Sequence, residues 1–324
     1  MGWVGRPGVY RTRLLGPDLP QSSPRFALGA FDFALFATIV LVWGSSWLPL
    51  KLQLGVVAPE VSGVWRFSFA AAIMFFWLLI ARHKIRFGAA DHLRFAILGA
   101  LLFCLNFALA MYGASYLTSG LLAVVFSLAS VITPLLAAAL GRSQLEGRIL
   151  TGAVLGTVGV ALLFGPEIAA AGASRDTAIG LAYVFAATLF FCVGNMFSAA
   201  YQQRGIPVLS SNTWCMVYGA FWFALIALVR GDPFIVEWSS RYLLSIAWLA
   251  IPSTVIAFAA YLTLLGRIGA GRASYATVLV PVVALVISTI FENYVWTLSA
   301  AIGVVFVLVG NVVVLSSAPR AAEK

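Results

Sequence analysis

The sequence predicts an all-α membrane protein: ten transmembrane helices in two inverted five-helix repeats. Three observations carry that expectation. Only 10% of the residues are charged and 62% are hydrophobic, whereas a soluble domain carries roughly 25% charged residues. The 324 residues divide into apolar runs close to the roughly 20 residues that one bilayer crossing needs. The pattern also repeats: Gly152 and Gly159 recur as Gly303 and Gly310 with the same spacing of seven. An odd number of crossings per copy turns the second copy upside down.

The elements follow in order. Residues 1–30 are polar, basic and interrupted by Pro7, Pro17, Pro20 and Pro24, and are expected to form a disordered cytosolic tail. The apolar run after Phe33 is of span length and shows no small-residue cleavage site, which argues against a signal peptide. Spans are expected near 32–51, 61–81, 95–113, 119–140 and 148–165, then near 178–200, 211–229, 242–265, 273–291 and 296–316. The first repeat therefore occupies 31–165, an outer linker 166–177, the second repeat 178–317, and a cytosolic C-terminus 318–324. No length is left for a soluble catalytic domain.

The net charge of +9 invites a nucleic-acid reading, but its placement is a topology signal. With the N-terminus inside, fifteen Lys and Arg residues fall on the cytosolic side. Arg175, Arg230 and Arg241 are the three outside. This positive-inside bias puts both termini in the cytosol of an inner (plasma) membrane protein. The expected partners are a lipid bilayer and a small-molecule substrate, with no nucleic acid.

Cys104, Cys192 and Cys215 all lie in expected spans and form no metal or disulfide pattern. His83 and His92 share a basic loop without a third ligand, which reads as a solvated loop. No P-loop, nucleophile elbow or zinc spacing is present, so neither an enzyme nor a cofactor or metal site is expected. The closing spans carry stripes of Gly152, Gly156 and Gly159, and of Gly303 and Gly310. Small residues let helix backbones approach in lipid. That suits scaffolding within the chain or a homodimer through these helices.

Several residues are candidates for a binding site. Arg66 sits inside the second span, where a charge costs about 2.5–3.5 kcal/mol on insertion scales. It reads either as an anchor for a substrate carboxylate or as an arginine reaching for the membrane edge. Trp43, Ser46, Trp47 and Leu50 share one stripe of the first span. Two indoles and a hydroxyl there would form a slot for an amphipathic solute. Asn106 and Asn195 are polar groups at depth that must hydrogen-bond, and Tyr261 adds a hydroxyl in an apolar helix. Tyr112, Tyr183 and Tyr275 add others. Pro49, Pro134, Pro252 and Pro281 interrupt spans and are hinge candidates. Lys51 ends the first span, where snorkelling is the expected fate. Asp32, Glu60 and Glu292 lie at span ends. With no carboxylate at mid-span, exchange or facilitated movement is favoured over a proton relay.

Trp43-Gly44-Ser45-Ser46-Trp47 leading to Lys51, then Pro59 with Arg66, then proline-containing fourth and ninth spans ending near an acidic residue, resemble the EamA family. This family is a branch of the drug/metabolite transporter superfamily. The resemblance covers roughly residues 32–316. It implies ten helices in two inverted repeats, a cavity lined by helices one to four and six to nine, and export of small metabolites such as amino acids. Trp43, Gly44, Lys51 and Arg66 carry over as pattern positions. One departure is visible: a gapless offset of 151 places Ser130, not Pro134, opposite Pro281. Glu146 is expected to pair with Arg142 or Arg148. The sequence leaves open a sugar-phosphate or nucleotide-sugar exchanger, and a non-transporting membrane scaffold or receptor.

Overall fold

Apolar helices in lipid end where proline, glycine or charge interrupts the run, and the observed boundaries follow that logic. The computed structural model describes residues 29–141, 146–170, 175–202, 204–268 and 275–315. Among the described residues every regular element is helical and there is no strand. The expected tail over 1–30 and the expected C-terminus over 318–324 fall almost wholly outside them.

Helix α1 spans Ala30–Leu52 and α2 spans Pro59–Ile80, with proline at its start, where no N–H partner is lost. Helix α3 spans Ala89–Ala114 and α4 spans Ser119–Ala139. Helix α5 is Gly147–Ala170 and α6 is Arg175–Gln202. Helix α7, Val208–Arg230, stops at Gly231, whose φ of 74° is left-handed. Helix α8 covers 240–268, α9 is Tyr275–Phe291, and α10 is Leu298–Leu315. Among the described residues eight helices are long and apolar enough to cross a bilayer; α5 and α9 add the shorter apolar stretches Gly147–Leu163 and Ala276–Phe291. The chain is a multi-pass membrane protein.

Most helices begin earlier than expected because their first turns are polar. Helix α3 starts at Ala89, and Asp91 and Arg94 bond at 2.8 Å one turn apart. The expected linker over 166–177 is helical at both of its described ends. Asp176 in the first turn of α6 complements the helix dipole there.

The expected hinges differ in what they do. Pro49 has no N–H for the carbonyl four residues back, and α1 is interrupted at Ser46 between Ala30–Ser45 and Trp47–Leu52. Pro252 lies in a π-helical stretch, Leu249–Ile256, inside α8. Pro134 lies inside Ala129–Ala139, which follows a break in α4 at Leu128. Pro281 lies within α9 without interrupting it. A second π-helical stretch, Gly99–Leu105, interrupts α3 without proline.

Helices α5 and α10 meet through their glycines. A Cβ on Gly152 would stand 3.0 Å from the Gly310 carbonyl oxygen, and one on Gly159 would stand 2.6 Å from that of Gly303. Because 152 faces 310 and 159 faces 303, the two helices run antiparallel. The glycine faces are thus in contact with one another within one chain.

Candidate functional site

The second helix buries its arginine. Arg66 lies two turns below Pro59 and is 4% exposed. Its guanidinium rests 4.3 Å from the centre of the Phe107 ring and 4.8 Å from that of Phe67, a cation–π arrangement. Its Nη2 donates to the Thr254 hydroxyl at 3.5 Å, and its Nε has no partner. Among the described residues no carboxylate pairs with it. The guanidinium is therefore buried with a free N–H and no counter-charge.

Thr254 belongs to the π-helical stretch of α8 and donates to the Leu249 carbonyl at 2.7 Å. The preceding residue, Ser253, accepts the Trp43 Nε1–H at 3.1 Å. Trp43 also packs against Tyr261, with ring centres 5.4 Å apart. The stretch around Pro252 thus links two expected residues of α1 and α2, Trp43 and Arg66, to a third, Tyr261. Such π-helical turns often mark functional sites.

Trp47 faces a different neighbour. Its ring meets Phe126 of α4 edge-on at 5.2 Å, and Phe126 meets Phe191 of α6 at 4.8 Å. Trp47 and Phe107 pack on one apolar cluster around Leu50, Met111 and Leu249, which joins the indole to the arginine end of the site. Trp43, Ser46 and Trp47 are all half-buried.

The remaining candidates bond within their own helices. Ser46 Oγ donates to the Val42 carbonyl, one turn back. Asn195 Nδ2 donates to the Phe191 carbonyl at 2.9 Å. Asn106 Nδ2 donates to the Leu102 carbonyl at 3.1 Å, while its buried Oδ1 has no partner. Residue 102 lies against Gly194 of α6, so this asparagine sits on the α3–α6 side, one helical face away from Phe107. The structure joins Trp43, Trp47, Arg66 and Tyr261 through shared neighbours. It gives Ser46, Asn106 and Asn195 only same-helix bonds.

The ends of the helices hold charge pairs that spacing did not reveal. Lys51 does not snorkel alone: its Nζ lies 3.0 Å from Glu292 and donates to the Leu117 carbonyl at 3.0 Å. Glu292 also accepts from the Ser119 N–H at 2.9 Å and from the Ser119 hydroxyl. Burial pushes the Glu292 carboxyl up, but the Ser119 hydroxyl and the Lys51 ammonium outweigh it and hold the group below the usual carboxylate range. Glu60, 1% exposed, accepts from Arg230 at 3.2 Å and from the Tyr112 hydroxyl. At the other end Arg267 pairs with Asp32, and Arg148 with Glu146 at 2.6 Å, as the short spacing of the latter pair predicts. Arg142 lies outside the described residues. The Lys51–Glu292 and Glu60–Arg230 pairs join residues remote in sequence; only their position at span ends marks them beforehand.

Comparison with known proteins places this arrangement. The sequence model of the EamA-like transporter family matches residues 32–165 and again 178–316. The uncharacterized transporter YoaV of Bacillus subtilis is 26% identical over 76% of this chain and 84% of its own length. A probable amino-acid metabolite efflux pump of Escherichia coli is 24% identical over 86% of this chain and 93% of its own. A solved crystal structure superposes with a TM-score of 0.63 at 18% identity, covering 90% of this chain and 100% of that one. It shares the fold. Matched by the family model along almost its whole length, the chain belongs to the EamA-like transporter family, a family of transporters rather than enzymes.

Proposed function

We propose that this chain is an inner-membrane secondary transporter that exports a small metabolite, an amino acid or a related amphipathic solute, by alternating access. In this reading α1–α5 and α6–α10 form two inverted repeats, ten crossings in all, with both termini cytosolic. Support comes from the antiparallel glycine crossing of α5 and α10 and from the double match of the family model. The helix starts agree: Ala89 and Ser240, and Gly147 and Leu298, are each 151 residues apart. Inverted repeats build a site that opens to either side of the membrane.

The observation that carries the substrate class is Arg66. A buried guanidinium with an unpartnered N–H and no carboxylate beside it is matched to an oxyanion, which it binds by two parallel hydrogen bonds. The half-buried Trp43, Tyr261 and Trp47 rings supply an apolar wall for the rest of the solute. The second nearby cation, Lys51, is already neutralised by Glu292. That favours a solute with a single carboxylate over a sugar phosphate or nucleotide sugar. The E. coli relative's name agrees with an amino-acid metabolite.

The test compares metabolites inside and outside cells expressing the wild type and cells expressing Arg66→Ala at equal membrane levels. A few carboxylate-bearing solutes should move outward with the wild type only. Equal profiles for the two proteins remove Arg66 from the site.

A further inference from the structure

The charges between the two halves of the chain are distributed unequally over its two ends. At the end that receives the C-terminus of α1, Lys51 is tied to Glu292, and Glu60 is tied to Arg230. Each pair joins the first half to the second. Glu60 and Glu292 are nearly buried, at 2% and 9% side-chain exposure, whereas Arg230 is 52% exposed and has a second acidic neighbour, Asp232, at 3.5 Å. The 151-residue offset carries Lys51 to Gln202, Glu60 to Ser211, Arg230 back to Leu79 and Glu292 back to Gly141. None of these four is charged; among the described residues the opposite end carries one ion pair between the halves, Arg267 with Asp32, which joins α1 to α8, against two at this end.

Burial along α4 has the same polarity. Every residue of Ser119–Val125 is buried, and a Cβ on Gly120 would stand 2.8 Å from the Leu285 side chain. Along Ala129–Ala139, only Val131 is buried. The helix is buried at the Lys51 end and mostly half-buried at the other.

We infer that Lys51–Glu292 and Glu60–Arg230 are two ionic clasps that close the outer end of the transporter, and that the conformation seen is closed outward, with the single Arg267–Asp32 pair left to hold the inner end. Opening outward separates α1 from α9 and α2 from α7. Both clasps must then break, and Arg230 keeps Asp232 as its partner once Glu60 is released. The carboxylate left in Glu60 is covered by the Tyr112 hydroxyl, which already bonds it. Tyr112 itself packs at a tilt against Tyr183 of α6, with ring centres 5.6 Å apart, so the released carboxylate stays beside a hydroxyl-bearing aromatic group. This inference rests on the alternating-access reading.

The test is substrate-free. A reporter Ser46→Cys is placed in the full-length chain, in which the three native cysteines are buried. A membrane-impermeant maleimide is applied to right-side-out and to inverted membrane vesicles. With the clasps intact, labelling should be fast from the cytosolic face and slow from the outer face. Glu292→Gln keeps the side-chain shape and Arg230→Gln changes an exposed end, so both variants should still insert. Each should raise outer-face labelling about tenfold, the population change that corresponds to about 1.4 kcal/mol. The double variant should exceed either. Fast outer-face labelling of the unmodified clasps overturns the inference. So does unchanged outer labelling in both variants when cytosolic labelling stays intact. A vesicle result of either kind leaves the metabolite comparison untouched, so failure of the clasps and failure of the export reading are separable.

Discussion

Gly159 and Gly303 meet backbone to backbone where α5 crosses α10: a Cβ on Gly303 would stand 2.5 Å from the Gly159 carbonyl oxygen, and one on Gly159 would stand 2.6 Å from the Gly303 carbonyl oxygen. Neither oxygen belongs to a flexible side chain, so a larger residue cannot be accommodated by a rotamer change. Overpacking of this kind costs about 1–3 kcal/mol. Gly159→Leu and Gly303→Leu should therefore lower the melting temperature of the detergent-purified protein and its yield in membranes. Gly147→Ala meets open space and should leave both unchanged. Equal melting temperatures for all three would mean that the crossing bears no load.

Arg66→Ala should leave the protein folded, because the arginine has no carboxylate partner whose charge would be stranded by its removal. Arg66→Lys keeps the charge but loses the two-pronged geometry. Export of a carboxylate solute should fall to background in the first variant and about tenfold or more in the second, about 1.4 kcal/mol of binding. Initial efflux rates at matched membrane levels measure this.

Trp43→Phe keeps a ring beside Tyr261 and removes the N–H that the Ser253 carbonyl accepts. One such bond is worth about 0.5–1.5 kcal/mol. The expected result is a small drop in melting temperature. Because Ser253 adjoins Thr254, the loss should also weaken solute binding, raising the half-saturating concentration more than it lowers the maximal rate. A maximal rate that falls with half-saturation unchanged would place Trp43 outside the site.

Acid should loosen the Lys51–Glu292 clasp. The Glu292 carboxyl is held below its ordinary value by Ser119 and Lys51 despite burial. Its contribution is then fully present above the ordinary carboxylate value and is lost as pH falls through the lowered one. Melting temperature followed down through the carboxylate range should drop less steeply in Glu292→Gln than in the wild type. Parallel curves would show that the pair adds nothing to stability.

Much of the fold could be read beforehand because lipid imposes it. A bilayer demands apolar runs of fixed length with every backbone group bonded inside the helix, and that demand is written residue by residue. The glycine spacing went further, since Gly152, Gly159, Gly303 and Gly310 proved to be the contact itself. Arg66 was legible as a charge in the wrong solvent. The Glu60–Arg230 pair was not, because its members are 170 residues apart and each alone looks like an ordinary span end. The π-helical turn at Gly99–Leu105 had no proline to announce it.

The sequence by itself determined the helical class, the approximate helix positions and the family, because each depends on local hydrophobicity or on an ordered motif. Only the tertiary structure decided that Thr254 lies under Arg66, that Trp43 is bonded to Ser253, and that Lys51 answers to Glu292. Those choices depend on which helix packs beside which, and on the rotation of each about its axis. Periodicity states which face of a helix is apolar; it does not state which neighbour will cover it.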